Sequence, residues 1–264
     1  PEQRRIAAAL RTIQHAIAAQ EDLITAAREL KRSLMERLFT YGVTQSRGDA
    51  EPQRVELKET EIGKIPEHWN IAKLGDVTES SAYGPRFSGK LYADDGNVAT
   101  LRTTDLDTTG SISYSTMPKA SLELDRFEKH LLQAKDLLIS RSGTCGIAAV
   151  FESYPIPVLP GAFLIRFRLN EDVNPIFLRE YINSRIGQIR ILSLATGAVQ
   201  QNLRGTALLE FSVPLPPLLE QQRIVDILTT SATKVTVEEQ RKAALEELFR
   251  SALEQLMTGQ IRLR

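Results

Sequence analysis

The sequence contains few of the residues on which disulfides, metal centres and membrane spans depend. Cys145 is its single cysteine, so no internal disulfide can form, and one thiol with three histidines makes a poor metal site. No apolar run approaches the ~20 residues that cross a bilayer, and no basic-then-apolar leader is present. These absences predict a cytoplasmic protein without a metal site and without membrane contact.

An excess of positive charge is also missing. Lysine plus arginine and aspartate plus glutamate both total 33, so the net charge is zero. Proteins that bind nucleic acid without sequence preference are usually basic. The neutral total does not exclude a local basic face, because four arginines lie between residues 179 and 204 beside a single acid, Glu180. The 264 residues, 42% of them hydrophobic, suffice for one large domain or two smaller ones.

Signatures of catalysis are lacking as well. The stretch GPRFSGKL (84–91) has the Gly-x4-Gly-Lys spacing of a phosphate-binding loop, but Leu91 replaces the hydroxyl residue that holds magnesium. It also follows a polar stretch, whereas such a loop joins a buried strand to a helix. No Gly-x-Ser-x-Gly, His-Glu-x-x-His or [Asn/Asp]-Pro-Pro-aromatic motif occurs, and the three histidines are scattered. The sequence predicts no catalytic residues.

The two ends of the chain repeat each other. The stretch EQRRIAAALRTIQ from Glu2 aligns without a gap with EQQRIVDILTTSA from Glu220, and about fifteen of some forty positions are identical. Neither copy contains proline or glycine until its end, near Gly42 and Gly259. Apolar residues recur at alternating steps of three and four, which is typical of a coiled-coil seam. We therefore predict two long helices of ~60 Å each.

Each helix presents an apolar stripe that needs a partner, and the other copy is the obvious one. Antiparallel pairing about the midpoints would set Gln20 opposite Lys242 and Ile24 opposite Glu238, so that both polar interruptions fall in the same central layers. The alternative is that the interruptions are solvated positions of two amphipathic helices. The predicted helix–helix interface comprises Ile6, Leu10, Ile13, Ile17, Gln20, Ile24, Leu30, Leu38, Leu228, Val235, Glu238, Lys242, Leu245, Phe249 and Leu256.

Between the repeats the composition changes. We expect the first helix over 1–42, a polar linker over 43–65, a mixed domain over 66–216 and the second helix over 217–264. Trp69 is the expected core anchor of the mixed domain. Its strands are predicted at 97–103, 136–142, 146–151, 162–169 and 208–216, with one helix at 175–195. The predicted fold class is α+β, with the domain flanked by two long helices that form an antiparallel coiled coil.

The order of several sequence blocks resembles one known family, the DNA specificity subunits of type I restriction-modification enzymes. IGKIPEHWNIAKLGDV (62–77) is similar to the start of a target-recognition domain in that family. DLLISRSGTCGIAAVF (136–151), ATGAVQQNLRG (195–205) and the closing LMTGQIRL (256–263) are similar to its recurring blocks. The order and spacing of the blocks carry the resemblance, which spans almost the whole chain.

The resemblance implies a function without catalysis. It implies a subunit that reads one half of a bipartite site in double-stranded DNA, whose helices hold the modification (methyltransferase) subunits and, through the complex, the restriction subunits. S-adenosylmethionine, ATP and magnesium are then expected on those partners and no cofactor on this chain. Members usually hold two recognition domains, so this chain looks like the second with both flanking helical regions. A natural half-length subunit that self-associates is the alternative.

Polar loops of the mixed domain supply the candidate DNA contacts. Arginine forks suit guanine, amides suit adenine, and lysine suits phosphate. The candidates are Tyr83, Arg86, Lys90, Arg102, Thr103, Thr104, Arg141, Ser142, Gly143, Thr144, Gln200, Gln201, Asn202 and Arg204. The rival hypothesis is a coiled-coil adaptor whose central domain binds protein rather than DNA.

Overall fold

A computed structural model of the chain describes residues 2–43, 55–197, 201–258 and 260–261. The chain divides into two compact units. The first, which we call the helical unit, comprises Pro1–Leu34 and Asp226–Arg264. The second, the mixed unit, comprises Met35–Val225.

Helices and strands alternate irregularly along the chain. The helices are α1 (Glu2–Tyr41), α2 (Pro175–Asn183), α3 (Arg185–Ser193), α4 (Gly205–Leu209) and α5 (Leu218–Met257). The strands are β1 (Leu57–Thr60), β2 (Gly63–Pro66), β3 (Asn70–Lys73), β4 (Thr78–Tyr83), β5 (Val98–Leu101), β6 (Lys119–Ala120), β7 (Leu137–Ser140), β8 (Ala148–Val150), β9 (Val158–Pro160), β10 (Leu164–Leu169) and β11 (Ser212–Leu215). The long helices at the two ends and the mixture between them agree with the prediction.

The helical unit consists of most of α1 and α5, which are 40 residues long each. One face of each helix is buried or half-buried at steps of three and four, while the opposite face is exposed. On α1 this stripe runs through Ile6, Leu10, Ile13, Ile17, Gln20, Ile24, Ala27, Lys31 and Leu34. On α5 it runs through Leu228, Val235, Glu238, Lys242, Leu245, Phe249, Ala252 and Leu256.

Leu30 does not belong to this stripe. Its side chain is 52% exposed, whereas the neighbouring Lys31 is half-buried. The steps of three and four that lead from Ile24 to Ala27 continue to Lys31, so the helix turns Leu30 outward. The high hydrophobicity of leucine made Leu30 the stronger candidate in the sequence, and helical phase decides against it.

Polar residues at the middle of the helical unit contact each other, but not in the predicted pairs. Nε2 of Gln20 donates hydrogen bonds to Oε2 of Glu238 at 2.7 Å and to its backbone oxygen at 3.1 Å. Lys242, predicted to face Gln20, forms an ion pair with Glu21 at 2.8 Å. A lysine gains more from a carboxylate than from an amide, which explains the exchange of partners.

The mixed unit holds four small sheets. The largest has the strand order β4-β10-β7-β8 and is antiparallel throughout. A three-stranded sheet has the order β6-β5-β9, with β5 and β9 parallel. The other two sheets are the pairs β11-β3 and β1-β2. The five predicted strands correspond to β5, β7, β8, β10 and β11.

Two predictions for the mixed unit need correction. The hairpin β1-β2, in which Leu57 pairs with Pro66, takes up the end of the predicted linker 43–65, of which residues 44–54 lie outside the described residues. The helix predicted over 175–195 is two helices, because Ser184 adopts an extended conformation and caps α3 by accepting a hydrogen bond from the Gly187 backbone. Serine at a helix start competes well with the continuing helix, and the apolar periodicity hides this break.

An aromatic cluster forms part of the core of the mixed unit. Trp69, the predicted anchor, is fully buried. Its ring lies edge-on to Phe177 of α2 at a centroid distance of 6.5 Å, and Phe39 lies edge-on to Phe177 and Tyr181. Edge-to-face pairs of this kind add about 1 kcal/mol each beyond area burial. Among the described residues, no helix is both long and apolar enough to cross a bilayer.

Candidate nucleic-acid interface

Several candidate residues meet at one end of the four-stranded sheet. Tyr83 closes β4 and pairs with Ile165, while Ser140 closes β7 and pairs with Leu164 at the start of β10. Because neighbouring strands are antiparallel, the residues just outside these positions lie at the same end. We call this the loop end of the sheet, and it carries Tyr83, Arg141 and Phe163.

At Gly84 the backbone of the loop end is packed too closely for a side chain. A methyl group at Gly84 would lie 2.0 Å from the backbone oxygen of Gly161. Gly161 in turn donates its backbone N–H to the oxygen of Leu101 at 2.7 Å. The segment after β5 therefore reaches the same end of the sheet, bringing Thr103 beside Gly143, whose added Cβ would lie 3.9 Å from the Thr103 hydroxyl.

Arg141 lies at the centre of this end. Its guanidinium carbon lies 4.8 Å from the centroid of the Tyr83 ring, and its Nε donates to Oδ1 of Asn202 at 3.2 Å. Its backbone N–H donates to the Phe163 oxygen at 2.8 Å, and its carbonyl accepts from the Leu203 N–H at 2.9 Å. Arg141, Tyr83 and Asn202, three predicted candidates far apart in the chain, thus form one cluster.

Tyr83 is held at both ends. Its hydroxyl oxygen accepts a hydrogen bond from the Gly205 backbone N–H at 2.7 Å, at the start of α4. Its backbone oxygen lies 2.9 Å from Nδ1 of His130. Because a carbonyl can only accept, Nδ1 of His130 carries the proton. The ring is nonetheless 43% exposed, so one part of it faces solvent.

The turn after β7 presents backbone and small side chains. Ser140 is buried, and its hydroxyl donates to the Thr144 oxygen and accepts from the Ile147 N–H. Gly143 has a φ of 78°, which glycine adopts without strain. Gly143 and Thr144 are exposed, whereas Ser142 is buried. Burial raises the pKa of the Cys145 thiol, which therefore stays protonated and donates to the Arg141 oxygen.

Asn202 also contacts two other residues near the cluster. Asn202 forms isolated β-bridges with Ser142 and with Thr196. Gln201 and Arg204 are exposed. Gln200, also a predicted contact, lies outside the described residues.

Arg102 has a structural partner that the sequence did not reveal. Its guanidinium forms two hydrogen bonds with Asp105, at 3.1 and 2.8 Å, and a third with the Thr116 oxygen. Burial would raise the pKa of Asp105, but hydrogen bonds from Arg102 and Thr116 outweigh it and lower that pKa. Arg102 therefore holds the 3-10 turn Thr103–Asp105 in place, and of that turn Thr104 is exposed.

The loop that resembled a phosphate-binding loop is folded differently. It ends in a three-residue 3-10 turn, Gly89–Leu91, rather than in an α-helix. Phe87 packs against the cluster of Val98, Ala120, Leu122 and Leu159. Arg86 and Lys90 are exposed on this loop, and in the described part of the chain no hydrogen bond or ion pair joins them to the Tyr83–Arg141 cluster.

Two functional candidates escaped the sequence reading. Phe163, at the start of the strand predicted over 162–169, is 50% exposed at the loop end. Gly205 contributes only its backbone N–H, for which no sequence signal exists. The described residues contain no group of three His, Cys, Asp or Glu side chains that could hold a metal ion.

Comparison with known proteins places this arrangement in a family. The family model described as type I restriction modification DNA specificity domain matches residues 66–247. The type I restriction enzyme MjaVIII specificity subunit of Methanocaldococcus jannaschii is 24% identical over 272 residues, covering 100% of this chain. The StySPI specificity subunit of Salmonella potsdam is 24% identical over 197 residues, or 70% of this chain and 40% of that protein.

Solved structures share the fold. The HsdS subunit from Thermoanaerobacter tengcongensis superposes with a TM-score of 0.61 over 98% of this chain at 18% identity. A type I system S subunit from M. genitalium superposes with a TM-score of 0.56 over 97% at 16% identity. The chain spans 61% of the length of the MjaVIII subunit and 59% of the T. tengcongensis subunit. It belongs to the type I restriction-modification DNA specificity family, which is that of a non-catalytic DNA-recognition subunit.

Proposed function

We propose that this chain reads one half of a bipartite DNA target and has no catalytic activity of its own. The observation that carries the proposal is the cluster of Tyr83, Arg141 and Asn202 at the loop end of the four-stranded sheet. It combines an exposed aromatic ring, a cation and an amide, which are the groups that contact base edges and phosphates. Thr103, Ser142, Gly143, Thr144, Gln200, Gln201 and Arg204 are the proposed surrounding contacts, with Thr104, Arg86 and Lys90 on neighbouring loops.

We further propose that α1 and α5 pair antiparallel as a coiled coil. The repeat, the matching stripes and the contact between Gln20 and Glu238 support this arrangement. So does the hydrogen bond at 3.0 Å from the Val43 N–H, just after α1, to the Glu220 carboxylate, because the partner's number on α5 falls between Gln20 and Val43. The coiled coil would hold the modification subunits, and through them the restriction subunits.

The chain is proposed to correspond to the second recognition domain of a longer subunit together with both flanking helical regions. The chain spans 61% and 58% of the length of two curated relatives. A half-length subunit that completes its site by self-association is the alternative. In either case the proposed recognition domain extends over 66–216. S-adenosylmethionine, ATP and magnesium are proposed to bind to the partner subunits. The complex is proposed to act in the cytoplasm.

Salt dependence tests whether the loop end binds DNA. Affinity of the chain in complex with its modification subunit should fall steeply between 50 and 200 mM salt, by roughly 10³-fold or more if six phosphates are contacted. Arg204→Gln should reduce the slope of log affinity against log salt by about 0.9, since Arg204 is exposed and has no ion pair with any described residue. Arg126→Gln, an exposed arginine paired with Glu123, is the matched control.

A second measurement separates this proposal from a protein-binding adaptor. Selection of bound DNA from a random pool should enrich a defined sequence, whereas an adaptor enriches none. The chain incubated with S-adenosylmethionine and DNA but without its partner should transfer no methyl group. Methyl transfer under those conditions would overturn the proposal.

A further inference from the structure

We propose that Arg141 reads a guanine base in the recognised half-site rather than binding a backbone phosphate. The inference rests on the proposed function, because it requires that the loop end of the four-stranded sheet faces DNA. It goes beyond that function by assigning one base to one residue.

Two contacts orient the guanidinium group of Arg141. Its carbon lies over the Tyr83 ring, 4.8 Å from the centroid, and its Nε donates to Oδ1 of Asn202. The ring is itself held by the hydrogen bond from the Gly205 N–H to the Tyr83 hydroxyl. An arginine held by its inner nitrogen and by one face loses little further conformational entropy on binding.

The outer edge of the same guanidinium group, formed by Nη1 and Nη2, remains available for DNA. No described residue accepts a hydrogen bond from Nη1 or Nη2 of Arg141. These two nitrogens form a fork with the spacing of O6 and N7 on the major-groove edge of guanine, and bidentate pairing to those atoms is the commonest specific contact of arginine. The holding contacts therefore use the part of the side chain that the base does not need.

The residues that contact Arg141 differ in charge from those that contact Arg102. Asn202 is neutral, so the positive charge of Arg141 is not compensated by any described carboxylate. Arg102 is the contrast within the same unit, because Asp105 pairs with its charge and accepts hydrogen bonds from its Nε and Nη2, and Nη2 also donates to the Thr116 oxygen. Both residues were equal candidates by type, and the structure leaves only Arg141 with an open fork and a rigid support.

The backbone that carries Arg141 is fixed by hydrogen bonds. The Arg141 backbone directly follows β7 and is bonded to Phe163 and Leu203 on two other segments. Residues of β7 from Leu137 to Ile139 are fully buried. Phosphate binding tolerates a mobile cation, whereas a bidentate base contact requires a fixed donor pair, and this position provides one.

The test is the DNA sequence selected from a random pool by the complex of this chain with its modification subunit. We expect the wild-type logo to contain a guanine that Arg141→Lys and Arg141→Gln both lose, with the other positions unchanged. Binding to a site with that guanine replaced should be weaker by roughly 5- to 150-fold for the wild type and by little for either variant. Lysine retains the charge but not the fork, so it separates base reading from phosphate binding.

Variants of the supporting residues provide an independent readout. Tyr83→Leu and Asn202→Ala should lower discrimination at the same base pair without shifting preference elsewhere. Arg126→Gln should change neither, and thermal unfolding of each variant would show that it is folded.

The outcomes distinguish the two levels of the proposal. If the wild-type complex enriches no sequence, the proposed function and the guanine assignment both fail. If it enriches a sequence that Arg141→Lys shares unchanged, or if Arg141→Gln weakens all sequences evenly, only the guanine assignment is overturned.

Discussion

Gln20 and Glu238 occupy the same position of the terminal repeat and are hydrogen-bonded to each other at 2.7 Å. This bond is the main reason that the pKa of Glu238 lies below its usual value, with Arg241 adding to the effect and burial opposing it. Two equivalent residues meet in this way where a local two-fold axis relates two antiparallel helices. The contact thereby supports the antiparallel pairing that we propose for α1 and α5.

Distances between spin labels test the direction of pairing. Labels on cysteines placed at the exposed residues Arg11 and Arg250 should lie on the order of 20 Å apart if the helices are antiparallel, given helix spacings of 8–10 Å. Labels at Arg11 and Thr229 should be more than about 30 Å apart, because the two α5 sites are separated by about 21 residues of ~1.5 Å each. The reverse order of the two distances would mean parallel helices.

The ion pair between Arg102 and Asp105 should make folding sensitive to acid. The folded pKa of Asp105 is lower than its ordinary value of 3.8, so the charged carboxylate stabilises the fold above that pH, and the contribution disappears as pH falls through the lower folded value. Asp105→Asn should cost about 2 kcal/mol at pH 7, because a buried charged hydrogen bond is lost. Denaturant titrations at pH 7 and at pH 3 should show the difference from wild type shrinking.

An equal difference in free energy of unfolding between wild type and Asp105→Asn at pH 7 and at pH 3 would contradict this assignment. Lys64→Gln is a suitable control, since its ion pair with Glu59 is exposed and 3.9 Å long. Exposed pairs contribute little, so the control should unfold like the wild type.

Replacing Gly84 and Gly89, two glycines of the same loop, with alanine should affect stability differently. Gly84→Ala places a methyl group 2.0 Å from the Gly161 oxygen and should destabilise the chain by about 3 kcal/mol. Gly89→Ala meets nothing within 4 Å and should be neutral or slightly stabilising. Thermal unfolding measures both, and comparable melting temperatures for the two variants would refute the close crossing of residues 84 and 161.

The length of the helices should set the spacing between the two halves of the target. Inserting seven residues after Ala26 in α1 and after Val235 in α5 keeps the phase of both stripes and adds ~10 Å, or about 3 bp at 3.4 Å per step. Methylation-site mapping with the full complex should then show a spacer longer by that amount.

Insertions of five residues at the same two places are the matched control, because they rotate the following part of each stripe by about 140° and should impair assembly. A spacer of unchanged length after the seven-residue insertions would eliminate the idea that the helices measure DNA.

Periodicity made the long helices and the main strands predictable. Steps of three and four marked α1 and α5, and apolar runs marked β7, β8 and β10. The polar strand β4, with sequence TESSAY, carried no such pattern because most of its side chains are exposed at the edge of the sheet. Its position was visible only from its pairing with β10, a long-range property.

The candidate site was predictable by residue type and not by partner. Sequence patterns selected Arg102 and Arg141 equally, because both are arginines in polar loops that follow strands. Asp105 lies three residues after Arg102 and could have signalled the ion pair, whereas Tyr83 and Asn202 reach Arg141 only through folding. Burial of Arg166 against Asp136 in the sheet has the same origin, since the two are 30 positions apart.

The arrangement of the loop end has a consequence for how new target preferences arise. The residues proposed to contact DNA lie just beyond the ends of strands. The neighbouring strand residues Leu137, Leu138 and Ile139 are fully buried and pack in the core. Substitutions among the exposed loop positions therefore alter what is recognised at small cost in folding free energy. Such a scaffold separates the residues proposed to recognise DNA from those that stabilise the fold.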